Sequence, residues 1–159
     1  MSLLILDTNI LLYLRGDKRD NRTKKAENIL FSIKKGINEG IMPAPILMEL
    51  YYKITESDSE SNAKAHIYTL LKIPNILKNC KKYPITHEIG IFAGFLYYKY
   101  NTSKKSYYQT HINEKPPSAV DCLIASMGKY IPNSIICTND KRITEIEEIN
   151  AKRFYEIKT

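Results

Sequence analysis

Three cysteines are all this chain contains, and Cys80, Cys122 and Cys137 lie far apart with no CxxC pair. That excludes a disulfide framework and a thiolate zinc knuckle, and it fits a reducing, cytoplasmic setting. Three histidines, His66, His87 and His111, show no spacing of metal ligands, which removes a zinc site. No stretch approaches the roughly 20 apolar residues that span a bilayer, so no membrane is expected among the partners. The apolar N-terminus is broken by Asp7 and Asn9 and follows no basic region, so it is not read as a signal peptide. Internal repeats and interdomain linkers are also missing, and 159 residues suit one domain, 1–159, around one core.

What is present in excess is positive charge. There are 24 Lys and Arg against 17 Asp and Glu, a formal net charge of +7 and a pI near 9.2. Such a balance favours a polyanionic partner, nucleic acid first; the alternative is a surface kept soluble by lysine. Arg15, Lys18, Arg19 and Arg22 cluster early, and Lys141 and Arg142 late. They are candidates for phosphate contacts, which give affinity without sequence choice.

The hydrophobic pattern alternates between strand and helix. Leu3-Leu4-Ile5-Leu6 reads as a strand buried on both faces, within a segment from Ser2 to Asp7. Ser134–Thr138 reads likewise, with short candidates at Ile41-Met42, Tyr83–Thr86 and Arg153–Ile157. Pro84 assigns the Tyr83–Thr86 candidate to a sheet edge. Helices are expected over Ile10–Arg15, around Ala26–Ile37, from Pro45 to Ile54, from Ala63 to Ile73, and over His87–Tyr100, Ser118–Lys129 and Lys141–Ile149. The stretch 101–117 is polar and aperiodic, longer than an ordinary connection. It carries Tyr107 and Tyr108, whose rings are candidates for stacking on unpaired bases, or for packing on their own domain. Strands alternating with helices imply a mostly parallel sheet covered on both faces.

Four acids stand out: Asp7, Glu49, Asp121 and Asp140. Each has a local explanation. Asp7 is a favoured helix N-cap. Ser118-Ala119-Val120-Asp121 fits a capping box. Glu49 and Lys53 are spaced as a helical ion pair. Asn139-Asp140 is turn-friendly. Taken together they suggest more. Strand one and the Ser134–Thr138 strand would be central neighbours, with Asp7 and Asp140 at their carboxyl ends, where open α/β sheets bind ligands. The helices bearing Glu49 and Asp121 would start at the same edge. Carboxylates so gathered repel unless a cation holds them, and an oxygen-only set selects Mg²⁺ or Mn²⁺.

Leu6-Asp7-Thr8-Asn9, a Glu in a helix near residue 50, Asp121-Cys122-Leu123-Ile124-Ala125 and Thr138-Asn139-Asp140 together resemble the PIN domain family. That family includes the VapC toxins and RNA-processing nucleases, and the resemblance covers essentially the whole chain. It implies an α/β/α sandwich around a mostly parallel sheet of about five strands. It also maps an acidic quartet onto Asp7, Glu49, Asp121 and Asp140, with Thr138 and Asn9 as supporting polar residues. The implied activity is a Mg²⁺- or Mn²⁺-dependent endoribonuclease that hydrolyses RNA phosphodiesters with metal-activated water. Asp7, Asp121 and Asp140 would contact the metal, and Glu49 would orient the water or serve a second ion. The partners implied are RNA, an antitoxin protein of a type II toxin–antitoxin pair, and a second copy in a homodimer. The alternative is a PIN-like RNA-binding scaffold that does not cut. A phosphatase of the haloacid dehalogenase type would need Asp two residues after its nucleophile, and Asn9 stands there.

Overall fold

The computed structural model describes residues 1–16, 19–72, 80–81, 83–153 and 156–157. Five parallel strands form one sheet in the order β3-β2-β1-β4-β5, with β1 Leu3–Leu6, β2 Glu39–Ile41, β3 Cys80–Lys81, β4 Ser134–Thr138 and β5 Ala151–Arg153. The order follows from the aliphatic runs. Leu4, Ile5 and Leu6 are all fully buried. Successive strand residues point to opposite faces, so both faces of β1 are covered, which places it centrally. β4 lies beside it in the register Leu3↔Ser134 to Leu6↔Cys137. Asp7 and Thr138 therefore leave the sheet together.

Seven α-helices of four or more residues are assigned among the described residues: α1 Thr8–Tyr13, α2 Asn21–Lys34, α3 Ala44–Ser57, α4 Glu60–Lys72, α5 His87–Asn101, α6 Ala119–Tyr130 and α7 Lys141–Thr144. Ala26, Ile29, Leu30 and Ile33 of α2, and Ile46, Leu50 and Ile54 of α3, pack into one cluster with the strand side chains. Each such Leu or Ile contributes about 1.5–3 kcal/mol by leaving water. A second cluster joins α5 to α6 through Ala93, Leu96, Tyr100, Cys122 and Ala125. No helix among the described residues is long and apolar enough to cross a membrane.

Several boundaries differ from the sequence expectation. The edge strand is Cys80–Lys81; Tyr83–Thr86 is not a strand, and Thr86 instead caps α5 with its side chain. The strand next to β1 includes Gly40, where a Cβ would stand 2.9 Å from both Cys80 Sγ and Ile33 Cδ1. α7 stops at Thr144, not Ile149, although Ile146 is still buried. Its continuation is replaced by a tertiary contact, the Glu147 amide donating to the Tyr100 hydroxyl at 3.1 Å. Residue 73 and residues 154–155 of the expected helix and strand ends lie outside the described residues. The 101–117 stretch is not structureless. A helical turn, Lys105–Tyr107, runs into π-helical Tyr108–Ile112, ended by Asn113 in the left-handed region at φ 57°.

Candidate active site

Each of the four acids sits where its local sequence puts it. Asp7 leaves β1 and caps α1, accepting from the Thr8 amide at 2.7 Å. Asp121 closes the capping box of α6: the Ser118 amide donates to Asp121 Oδ2 at 2.7 Å, and the Asp121 amide to Ser118 Oγ at 3.1 Å. Asp140 caps α7, accepting from the Arg142 amide at 2.8 Å. Glu49 accepts from Lys53 Nζ at 2.7 Å, one turn along α3.

Those local roles do not keep the acids apart. A helix that follows a parallel strand starts at the strand's carboxyl end, so caps and first turns share one edge. Asp7 and Asp121 are each 2% exposed. The Asp7 carboxyl is raised to about 7, chiefly by burial and further by the charges of Asp121, Asp140 and Glu49, against the opposing hydrogen bond from Thr138. Burial also raises Asp121, while Arg142 and Ser118 oppose it. The acids thus feel one another, and Asp7 is short of positive charge.

Asp7 is held by a fixed set of donors. Thr138 Oγ1 donates to Asp7 Oδ2 at 2.7 Å, and Asn9 Nδ2 to the same oxygen at 3.1 Å. Thr138 Oγ1 in turn accepts from the Asp140 amide at 2.9 Å. Two residues have site contacts that the sequence reading did not assign. Thr8 Oγ1 donates to Glu49 Oε2 at 2.6 Å, tying α1 to α3; its place between Asp7 and Asn9 was the available signal. Arg142 was read as a phosphate contact, yet here it turns inward. Its Nε lies 3.0 and 2.9 Å from the two Asp140 oxygens, and its Nη2 bonds Asp140 and approaches Asp121 Oδ2 at 3.3 Å.

The remaining candidates are dispersed. Arg15 pairs with Asp58 at 2.7 Å, and Arg22 with Asp20 at 2.8 Å while lying over the Tyr13 ring. Arg19 and Lys141 are exposed. Lys18 lies outside the described residues. Tyr107 is 40% exposed and stacked on His111. Tyr108 is a correction: it is fully buried against Tyr100, with its hydroxyl donating to the Arg142 carbonyl at 2.8 Å, so no base can stack on it.

The donor set suits a hard cation: carboxylate oxygens, no imidazole or thiolate, and a buried Asp7 that lacks a counter-charge. As the side chains stand, no three acids among the described residues are gathered tightly enough to hold a metal ion. Glu49 is drawn to Thr8 and Lys53, and a guanidinium occupies the space between Asp121 and Asp140.

Residues 4–149 match the PIN domain family. This chain belongs to it. Its fold is similar to that of VapBC2 from Rickettsia felis, solved bound to a promoter DNA fragment, at a TM-score of 0.62 and 18% identity, covering 95% of this chain and 98% of that one. VapBC from Salmonella typhimurium, also solved bound to DNA, is similar at a TM-score of 0.63 and 15% identity, covering 97% and 99%. VapC20 of Mycobacterium tuberculosis, a sarcin-ricin loop cleaving toxin, is similar at 0.60 and 13%, covering 92% and 96%. No curated protein is detectably similar in sequence. The expected PIN-like α/β architecture with a parallel five-stranded sheet is the one found.

Proposed function

We propose that this PIN domain protein is a divalent-cation-dependent endoribonuclease, a single nuclease domain over residues 1–159, and the toxin of a toxin–antitoxin pair. The observation that carries the reading is the buried Asp7 carboxyl at the end of β1, within the field of Asp121, Asp140 and Glu49. Asp7, Asp121 and Asp140 would hold Mg²⁺ or Mn²⁺. Bound there, such a cation supplies a more acidic water and neutralises charge on the phosphoryl oxygens.

The chain's own residues do the rest. Thr138 and Asn9 fix the rotamer of Asp7 from two directions. Glu49, hydrogen-bonded by Thr8, would orient the attacking water or serve a second ion. Exposed Arg19 and Lys141 flank the acids along the chain and are candidates for contacts with the RNA backbone. Arg15 and Arg22 would have to leave their own carboxylates first. Tyr107 would have to part from His111 to stack on an unpaired base.

Two protein partners belong to the same reading. Similarity to VapBC structures supports an antitoxin. An apolar cleft of about 420 Å³ lined by Pro45, Met48, Ile85, Val120 and Leu123, together with exposed Ile91 and Phe95, supports burial of surface against a second copy or that antitoxin. The proposed setting is the cytoplasm.

Cleavage of single-stranded RNA by wild type and Asp7→Asn, in Mn²⁺ and in EDTA, tests the proposal. Wild type cuts only with metal and Asp7→Asn does not cut; identical traces overturn the enzyme reading. A second reading, an RNA-binding PIN module that does not cut, draws support from Arg142, which already pairs with two of the four acids. RNA binding without metal-dependent cleavage would establish it.

A further inference from the structure

Arg142 reaches two acids of the cluster, Asp121 and Asp140. Its side chain is only 23% exposed, and both edges of its Asp140 contact are used. Its backbone is pinned, because the buried Tyr108 hydroxyl donates to its carbonyl. Only the side chain is left to move. Beside it opens a polar cleft of about 420 Å³, lined by Gln109, Asn113, Glu114, Lys115 and Arg142 itself. The far wall of that cleft comes from the 101–117 stretch, and Glu114 already attracts the Arg142 charge.

We infer that Arg142 is a built-in rival of the divalent cation, holding Asp121 and Asp140 until metal displaces its guanidinium into the cleft toward Glu114. The inference rests on the proposed metal site. A planar guanidinium and a divalent cation cannot both occupy the gap between two carboxylates. Without either, the buried Asp121 and the partly buried Asp140 would face each other unpaired, which is destabilising. The guanidinium offsets part of that charge in the apo site, and metal must overcome it. The 101–117 stretch then has a role: it offers the displaced charge a second carboxylate.

Mn²⁺ binding by the intact chain, followed by the electron paramagnetic resonance of free Mn²⁺, tests this with no need for RNA. Arg142→Gln removes the rival charge and keeps a hydrogen-bonding head, so it should bind Mn²⁺ on the order of tenfold more tightly. Glu114→Gln removes the second resting place and should bind Mn²⁺ more weakly than wild type. Circular dichroism checks that each variant is folded, and Glu114→Gln, on an exposed residue, decides the matter if Arg142→Gln does not fold. Wild-type affinity in either folded variant overturns the inference while leaving the nuclease reading intact. Failure of all three proteins to bind Mn²⁺ overturns both.

Discussion

Thr138 and Asp7 lie 131 residues apart in the chain, and the hydroxyl of one donates to the carboxylate of the other at 2.7 Å. The bond joins the ends of two neighbouring parallel strands just where the register of β1 on β4 runs out. Thr138 is fully buried and Asp7 nearly so. Replacing Thr138 with Val keeps the shape and removes the donor. The expected cost is about 1–3 kcal/mol, that of leaving a buried acceptor short of a partner. The Asp7 carboxyl should rise further, because this bond is what opposes its upward shift. The alkaline shift of the acidic limb in the pH–cleavage profile checks the second effect, and chemical denaturation the first. Thr138→Ser should restore both; failure of Ser to rescue would mean that the methyl packing, not the hydroxyl, matters.

Asp7 also sets a pH dependence of stability. Its folded-state value is raised from 3.8 to about 7. Below that window the residue is protonated in both the folded and the unfolded chain. Between 3.8 and about 7 the unfolded chain gives up its proton while the folded one keeps it, so stability falls as pH rises and levels off above. The upward shift of Asp121 acts in the same direction. Thermal melts in EDTA should show a decline across this window in wild type that is shallower in Asp7→Asn. Parallel curves for the two proteins would contradict it. Added Mg²⁺ or Mn²⁺ should reduce the decline, since it compensates the ionised carboxylates.

The local and the collective readings of the acids turn out not to compete. Asp7 and Asp140 are caps, Asp121 completes a capping box, and Glu49 pairs with Lys53, each as its neighbours in sequence suggest. They share an edge because helix starts and strand ends coincide in a parallel sheet. That geometry is legible in aliphatic runs such as Leu3–Leu6. What is not legible depends on distant partners. β3 pairs through two residues only, too few for a pattern, and the strand expected at Tyr83–Thr86 lies just downstream of it. The π-helical turn at Tyr108 is stabilised by Tyr100 and by the carbonyl of Arg142, contacts that a polar, aperiodic stretch does not announce. The inward turn of Arg142 depends on Asp121 and Asp140 converging, so it too follows from the fold and not from the local sequence.

Gly40 marks how closely β2 is packed. A Cβ there would stand 2.9 Å from Cys80 Sγ on the edge strand and 2.9 Å from Ile33 Cδ1 on α2, with Ile33 Cγ2 at 3.3 Å. Ile33 is fully buried and Cys80 nearly so, which leaves little room to give. Gly40→Ala should therefore destabilise by about 1–3 kcal/mol, as overpacking does. Gly90→Ala is the control: it lies in α5 with nothing within 4 Å of the added carbon, and helix propensity should make it stabilising by up to about 1 kcal/mol. Denaturation midpoints of the two variants on either side of wild type would confirm the contrast; a neutral Gly40→Ala would mean that the β2–β3 edge yields easily.

The basic residues divide by whether a carboxylate already holds them, and the division has a measurable consequence. Arg15 lies on Asp58 and Arg22 on Asp20. Contacts of these arginines with RNA would exchange one anion for another, so Arg15→Ala and Arg22→Ala should change affinity little. Lys141 is exposed at the first residue of α7, beside the acidic cap Asp140. If it meets a phosphate, Lys141→Ala should weaken binding to all single-stranded RNAs alike and reduce the salt slope by about one unit. The measurement is a series of binding isotherms at rising salt in the non-cleaving Asp7→Asn background. A slope equal to that of the parent would remove Lys141 from the RNA path, and a slope that drops for Arg15→Ala instead would show that the Asp58 pair opens on binding.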